Sequence, residues 1–359
     1  MKKIGIITLF GYFNYGNRLQ MYAVQQVYKS FGFSTEIIKY RELKYKEPWL
    51  IRLKIFVKFF YSLKSNIIKF CLEKHRIHNF RKHAFGIFEE SENYVDPLSI
   101  DKTFHEQYSF VSVGSDQIWG WFNYYMADFV FMKFAPIEKR ITFSPSFGGS
   151  SIDAEYKAVF AEGINGINNV SVREESGRTL VKELTGKEAT VLCDPTMCMT
   201  KKEWVDFSRR HKRKPDKKYI LTYFLGSRPV KVNDILNKYS GTFEVVHLTS
   251  FDSPEFYAAN PSEWVDYIND ASLFLTDSFH GVAFAILLQT SFSIYGRVGG
   301  ESMHTRIGNI LNKFELEDRY ELGPNHASLF EMDFSHTEKI TELEKARVLD
   351  FLKTSMKIN

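Results

Sequence analysis

The chain has 359 residues, 44% of them hydrophobic and 25% charged, which excludes disorder, collagen and coiled coil and suits two domains. Forty-seven basic against 43 acidic residues leave a net charge of +4, too mild to argue for nucleic acid. Cys71, Cys193 and Cys198 are the only cysteines, too few for a disulfide framework and suited to a reducing cytosol.

Lys2 and Lys3 before an apolar stretch imitate a signal peptide, but the polar Asn14, Asn17, Arg18 and Gln20 follow without a small-residue cleavage site. The reading is a first strand at 4–9 in a cytoplasmic protein. No run of 18 or more uncharged apolar residues occurs, so no span is expected. A glycine-containing loop at 10–17 leads into Leu19, Tyr22, Ala23 and Val27 at helical spacing, and a second strand is expected at 34–40. This is a βαβ unit. Further strands are expected at 110–113, 141–147, 170–172 and 189–193. After Asp194-Pro195 a charged connector with Pro215 precedes strands at 219–225, 243–248, 272–276 and 292–295, and a helix at 337–354 closes the chain.

Two successive α/β sets predict two Rossmann-like parallel-sheet domains facing a cleft, residues 1–196 and 197–359, with a C-terminal helix. One region breaks the alternation. Residues 52–82 hold nine Lys or Arg against the single acid Glu73, interleaved with aromatics. It reads either as a helix with a solvated basic face or as a surface for anionic headgroups or an acidic, lipid-linked substrate.

The strongest chemical candidate is Thr276-Asp277-Ser278-Phe279-His280-Gly281, ending a strand and opening a helix. Asp277 or Ser278 can cap that helix, whose free N–H groups make an anion site, with His280 on the ligand side of the sheet. Ser171-Val172-Arg173-Glu174 puts an arginine at another strand end, suited to phosphate or carboxylate or simply to a salt bridge. Asn14, Asn17 and Gln20 follow the first strand in a loop that is neither G-x-G-x-x-G nor a P-loop. Ser115, Asp116, Gln117 and Trp119 follow a third strand, where Asp116 can accept from a sugar hydroxyl and Trp119 can stack on a sugar face. His75-x-x-His78 and Cys193-x-x-x-x-Cys198 match no strong zinc spacing, so no metal is expected. No G-x-S-x-G elbow supports serine hydrolysis.

Taken in order, Asn14-Tyr15-Gly16-Asn17-Arg18-Leu19-Gln20, Gly114-Ser115-Asp116-Gln117-Ile118-Trp119, Ser144-Pro145-Ser146-Phe147-Gly148, Ser171-Val172-Arg173-Glu174, Asp194-Pro195-Thr196 and Thr276-Asp277-Ser278-Phe279-His280-Gly281 resemble the polysaccharide pyruvyl transferase family over about 3–314. The resemblance implies a two-lobed fold like the B-type glycosyltransferases. It also implies transfer from phosphoenolpyruvate to two hydroxyls of a sugar, forming a cyclic pyruvate ketal and releasing phosphate. The implied acceptor is a glycan or a lipid-linked precursor of capsule, exopolysaccharide or cell wall, and no cofactor is implied.

On that resemblance His280 is the acid or a phosphate ligand, and Arg173 a phosphate clamp in a positive cleft. Ser278, Phe279, Gly281 and Arg306 would complete the donor site in the second domain. Asn14, Asn17, Gln20, Ser115, Asp116, Gln117 and Trp119 would line the acceptor side in the first. Well-studied members carry Arg-Leu-His where this chain has Ser278-Phe279-His280, so the second arginine must come from elsewhere, from Arg306 or more weakly Arg297. A nucleotide-sugar glycosyltransferase and a non-catalytic glycan-assembly protein stand as the other readings.

Overall fold

The computed structural model describes residues 2–41, 63–84, 86–251, 253–298 and 304–358, with the side chains at 63–66, 121–122 and 304–306 outside that description. The first sheet is formed by β1 (Lys3–Ile7), β2 (Ser34–Ile37), β3 (Phe110–Val113) and β4 (Arg140–Thr142), in the order β2-β1-β3-β4. β5 (Ser171–Val172) and β6 (Thr190–Val191) make a separate pair. The second sheet holds β7 (Tyr219–Tyr223), β8 (Glu244–Leu248), β9 (Leu273–Thr276) and β10 (Phe292–Ile294), in the order β8-β7-β9-β10. Every strand pair is parallel.

The two four-stranded sheets thus repeat one strand order, although the sequence shows no short-period repeat. In each, the order reverses between the first and third strands, which opens a crevice at their carboxyl ends. The central strands β7 and β9 are short runs buried on both faces, as helices on both sides require, whereas the edge strands β2 and β8 alternate. Strands at 141–147 and 189–193 prove shorter than expected. The chain leaves β4 after Thr142 and turns through Ser144, a non-glycine residue at φ +44°.

The main helices are α1 (Tyr15–Ser30), α2 (Leu63–Ala84), α3 (Lys157–Asn165), α4 (Glu175–Thr185), α5 (Lys201–Phe207), α6 (Val230–Tyr239), α7 (Pro261–Asn269), α8 (Phe279–Leu288), α9 (His304–Lys313) and α10 (Ser335–Met356). α8 is buried along its whole length. That explains its unbroken run Val282-Ala283-Phe284-Ala285-Ile286-Leu287-Leu288, where a surface helix would alternate.

One buried cluster runs through both lobes. Tyr15 of α1 stacks on Trp264 of α7 at 5.3 Å and donates its hydroxyl to Ala259 O at 2.9 Å. The last helix returns to the first lobe: α10 packs against β4, and Arg347 donates to Val191 O at 3.4 Å.

Of the basic segment, residues 63–82 lie in α2 and 52–62 lie outside the described residues. α2 is a strap between the lobes. The Arg76 guanidinium donates to Phe13 O at 2.9 Å and to Tyr257 O at 3.0 Å, and Asn79 donates to Ala258 O at 2.9 Å. Phe80 is buried, whereas Ile67, Ile68 and Phe70 stand about half exposed beside Lys69 and Lys74. Among the described residues no helix is long and apolar enough to cross a membrane.

Candidate active site

The site forms where the carboxyl end of β9 meets the amino end of α1. Ser278 has extended backbone geometry and caps α8, its Oγ accepting from the Gly281 amide at 3.2 Å. The two residues proposed as caps therefore divide the work. Asp277 turns away and accepts from the Leu225 and Gly226 amides at 2.7 and 2.8 Å, bracing the end of β7 against β9. Gly281 is obligatory for space, since a Cβ there would stand 2.8 Å from Thr276 Oγ1.

With α8 so fixed, His280 projects across the crevice onto α1. A Cβ on Gly16 would lie 2.2 Å from His280 Nδ1, so only glycine lets the ring approach. The other ring nitrogen faces Asp194, with Nε2 3.5 Å from Oδ2. Nε2 is buried and has no hydrogen-bond partner among the described residues.

Asp194 follows β6 and starts a short turn, where its Oδ1 accepts from the Thr196 amide at 3.0 Å and hydroxyl at 2.8 Å. Its Oδ2 accepts from Arg173 Nη1 at 2.9 Å. Burial pushes the Asp194 carboxyl up, but His280, Arg173 and the Thr196 amide outweigh burial and hold it well below the usual carboxylate range.

Arg173 also meets Glu174 at 2.9 Å and Asp116 at 3.5 Å, and its guanidinium lies 4.7 Å from the Phe279 ring centre. Burial alone would lower its pKa, and the three carboxylates more than reverse that, so it stays charged. Among the described residues Nη2 is its one buried nitrogen without a partner. This corrects the expected positive cleft. One guanidinium sits among three carboxylates, because a side chain 2% exposed needs opposite charge close by. Asp116, placed on the acceptor side from its sequence position, belongs to this cluster and takes the left-handed φ of +58°.

Other expected site residues separate. Trp119 is fully buried against Phe131 and Phe147, with its Nε1 donating to Val130 O at 3.3 Å, so it offers no face to a sugar. Gln20 is also enclosed, donating to Thr8 Oγ1 at 2.8 Å and accepting from the Ser115 amide at 3.1 Å. The Ser115 hydroxyl donates to Ser144 O at 2.8 Å. These three are braces of the strand ends and are corrected as acceptor contacts.

Asn14 is exposed as the cap of α1, while Asn17 and Gln117 are half-buried. Arg297 approaches Asp277, Nε to Oδ2, at 3.4 Å. Arg306 falls in the first turn of α9 and its side chain lies outside the described residues. From the same helix Asn309 and Lys313 line a small pocket with Arg173, Glu174, Asp194 and Phe279.

The residues missed as site groups are Asp194 and Gly16. Each was visible only as a member of a quoted motif, with nothing local to mark its partner. Among the described residues no cluster of three or more His, Cys, Asp or Glu offers a metal site.

Two repeated parallel sheets, with a histidine and a carboxylate meeting between them, define a two-lobed α/β architecture with a candidate site between the sheets. Solved structures share the fold at low identity. The UDP-GlcNAc 2-epimerase of Methanocaldococcus jannaschii, in complex with UDP-GlcNAc and UDP, is 12% identical over 99% of this chain and 100% of that one, with a TM-score of 0.50. The S. aureus MnaA–UDP structure is 10% identical over 100% and 98%, with a TM-score of 0.51. No curated protein matches the chain significantly in sequence. The family model for polysaccharide pyruvyl transferase matches residues 14–296, and the chain belongs to that family of enzymes.

Proposed function

We propose that this enzyme transfers the pyruvyl group of phosphoenolpyruvate to two hydroxyls of one sugar in a polysaccharide or lipid-linked precursor. The products are a pyruvate ketal and phosphate. The observation that carries the reading is His280, set at the first turn of α8, facing Asp194 on one ring nitrogen and the first turn of α1 on the other. Two helix amino ends thus converge there, which favours an anion.

Phosphoenolpyruvate needs a proton on its methylene carbon before a sugar oxygen attacks the adjoining carbon. His280 is the group to supply it, with Asp194 beside the ring stabilising its charged form. A second hydroxyl of the sugar then displaces phosphate and closes the ketal. Arg173 Nη2 is the donor left to hold the substrate's carboxylate or phosphate. Ser278 contributes a cap and no charge, so a second cation must come from Arg297, beside Asp277, or from Arg306, one turn before Asn309. The donor belongs to the second lobe and the acceptor to the first, near Asn14, Asn17 and Gln117. The scheme uses no cofactor.

The exposed Ile67, Ile68 and Phe70 with their lysines support a location on the cytoplasmic membrane face, where a lipid-linked acceptor would be presented. Co-sedimentation with vesicles that ignores anionic lipid would remove that part.

Isothermal titration of phosphoenolpyruvate into wild type, His280→Ala and Arg173→Ala tests the donor, with UDP as control. Heat from phosphoenolpyruvate that is lost in Arg173→Ala supports the reading. Heat from UDP alone would move a nucleotide-sugar donor to the front. A raised KM for phosphoenolpyruvate in Arg306→Ala, but not Arg297→Ala, would identify the second cation.

A further inference from the structure

α2 and the connector after α5 enclose a groove of about 930 Å³ that takes no residue from the reaction site. Its walls carry Lys82 from α2 and Arg209, Arg210, Lys212 and Arg213 from the connector. Arg210 is engaged by Asp216 at 2.5 Å, but Lys82, Arg209, Lys212 and Arg213 form no ion pair among the described residues. Of the two acids in the lining, Glu263 is used within its own helix start, where it accepts from the Asn260 amide at 2.8 Å. Unpaired like charges facing each other across a concave surface repel, and an anion between them relieves that repulsion.

The second observation is His83. It lines the same groove, is 9% exposed, and has no hydrogen-bond partner on either ring nitrogen among the described residues. Buried polar atoms without partners are rare, because each forgoes the bond it would make to water. Burial, with Arg18 and Arg209 nearby, lowers its pKa to about 4. At neutral pH the ring is therefore an uncharged donor of one N–H rather than a further cation.

Arginine forks match the oxygens of phosphate in pairs, and the groove is larger than a single phosphate requires. We propose that it binds a diphosphate-bearing anion, held by Lys82, Arg209, Lys212 and Arg213 with His83 donating from the wall. The proposal does not depend on the identity of the donor at His280. Two sources share this chemistry: the headgroup of a lipid-linked diphosphate and a free diphosphate.

The test is isothermal titration of inorganic pyrophosphate into the full chain, with citrate as a carboxylate control. Wild type should bind pyrophosphate more tightly than citrate, and more weakly as salt rises. Arg209→Ala/Arg213→Ala, at two exposed side chains with no ion pair among the described residues, should weaken binding about tenfold or more, the scale of losing charge-assisted bonds. His83→Phe should weaken it too, and His280→Ala should leave it unchanged.

Phosphatidylcholine vesicles carrying a prenyl diphosphate separate the sources. Recruitment that the double variant abolishes assigns the lipid headgroup, and pyrophosphate binding without recruitment assigns the free anion. No pyrophosphate binding, equal binding by the double variant, or loss only in His280→Ala would overturn the proposal. A failure of phosphoenolpyruvate binding with pyrophosphate binding intact would count against the pyruvyl donor alone.

Discussion

Asp194 Oδ2 stands 2.9 Å from Arg173 Nη1 and 3.5 Å from His280 Nε2, so one buried carboxylate joins the arginine after β5 to the histidine after β9. The two groups to which the sequence assigned chemistry are thereby coupled through a third to which it assigned none. Asp194→Asn should lower the rate of pyruvyl transfer by about 10²-fold, the usual contribution of an oriented proton donor. It should also lower stability by about 3 kcal/mol, because Arg173 loses a buried partner. The folded state holds this carboxyl below its unfolded value of about 4, so its stabilisation is present above that pH and is lost as pH falls below it. Melts from pH 6 to 2 should therefore fall more steeply in wild type than in Asp194→Asn, and parallel curves would remove the linkage.

Gly16→Ala places a methyl group where the His280 ring now sits. Helix propensity favours alanine by up to about 1 kcal/mol, so the chain should fold. The displaced ring should cut kcat by about 10²-fold, since an error of roughly 1 Å in placement has that cost. Unchanged kcat with an unchanged melting temperature would show that the contact is not needed for turnover.

Trp119→Phe separates a core residue from a sugar platform. Loss of the Nε1 bond leaves Val130 O buried and unpaired, which should cost about 1–3 kcal/mol in denaturant unfolding. The KM for the acceptor should not change. A raised acceptor KM at full stability would return Trp119 to the acceptor site.

His83 gives a second, separate pH effect. Its folded pKa of about 4 lies below the unfolded value near 6.5, so the neutral form stabilises the fold above pH 6.5, and that contribution declines toward pH 4. The loss for the full shift is on the order of 3 kcal/mol. His83→Phe should flatten the melting temperature between pH 6.5 and 4.5. An unaltered slope would show that another group titrates there.

The sequence by itself determined the alternation of strand and helix, the parallel class and the strand ends that carry polar motifs. These follow from apolar runs, helical periodicity and capping residues, all read within a few neighbours. Residues 110–113 were legible to the residue, and a cap at Asp277 or Ser278 was legible from their place before a helix, with the structure choosing Ser278. The tertiary structure alone decided which motifs meet. The crossovers bring Gly16, Asp194 and His280 to one crevice, and burial gives Arg173 three carboxylates where an open phosphate clamp was expected. Trp119 and Gln20 have the composition of a sugar site, yet packing turns both inward as braces. Whether a polar or aromatic side chain faces a ligand or the core depends on what the chain folds against it. Local pattern does not contain that information.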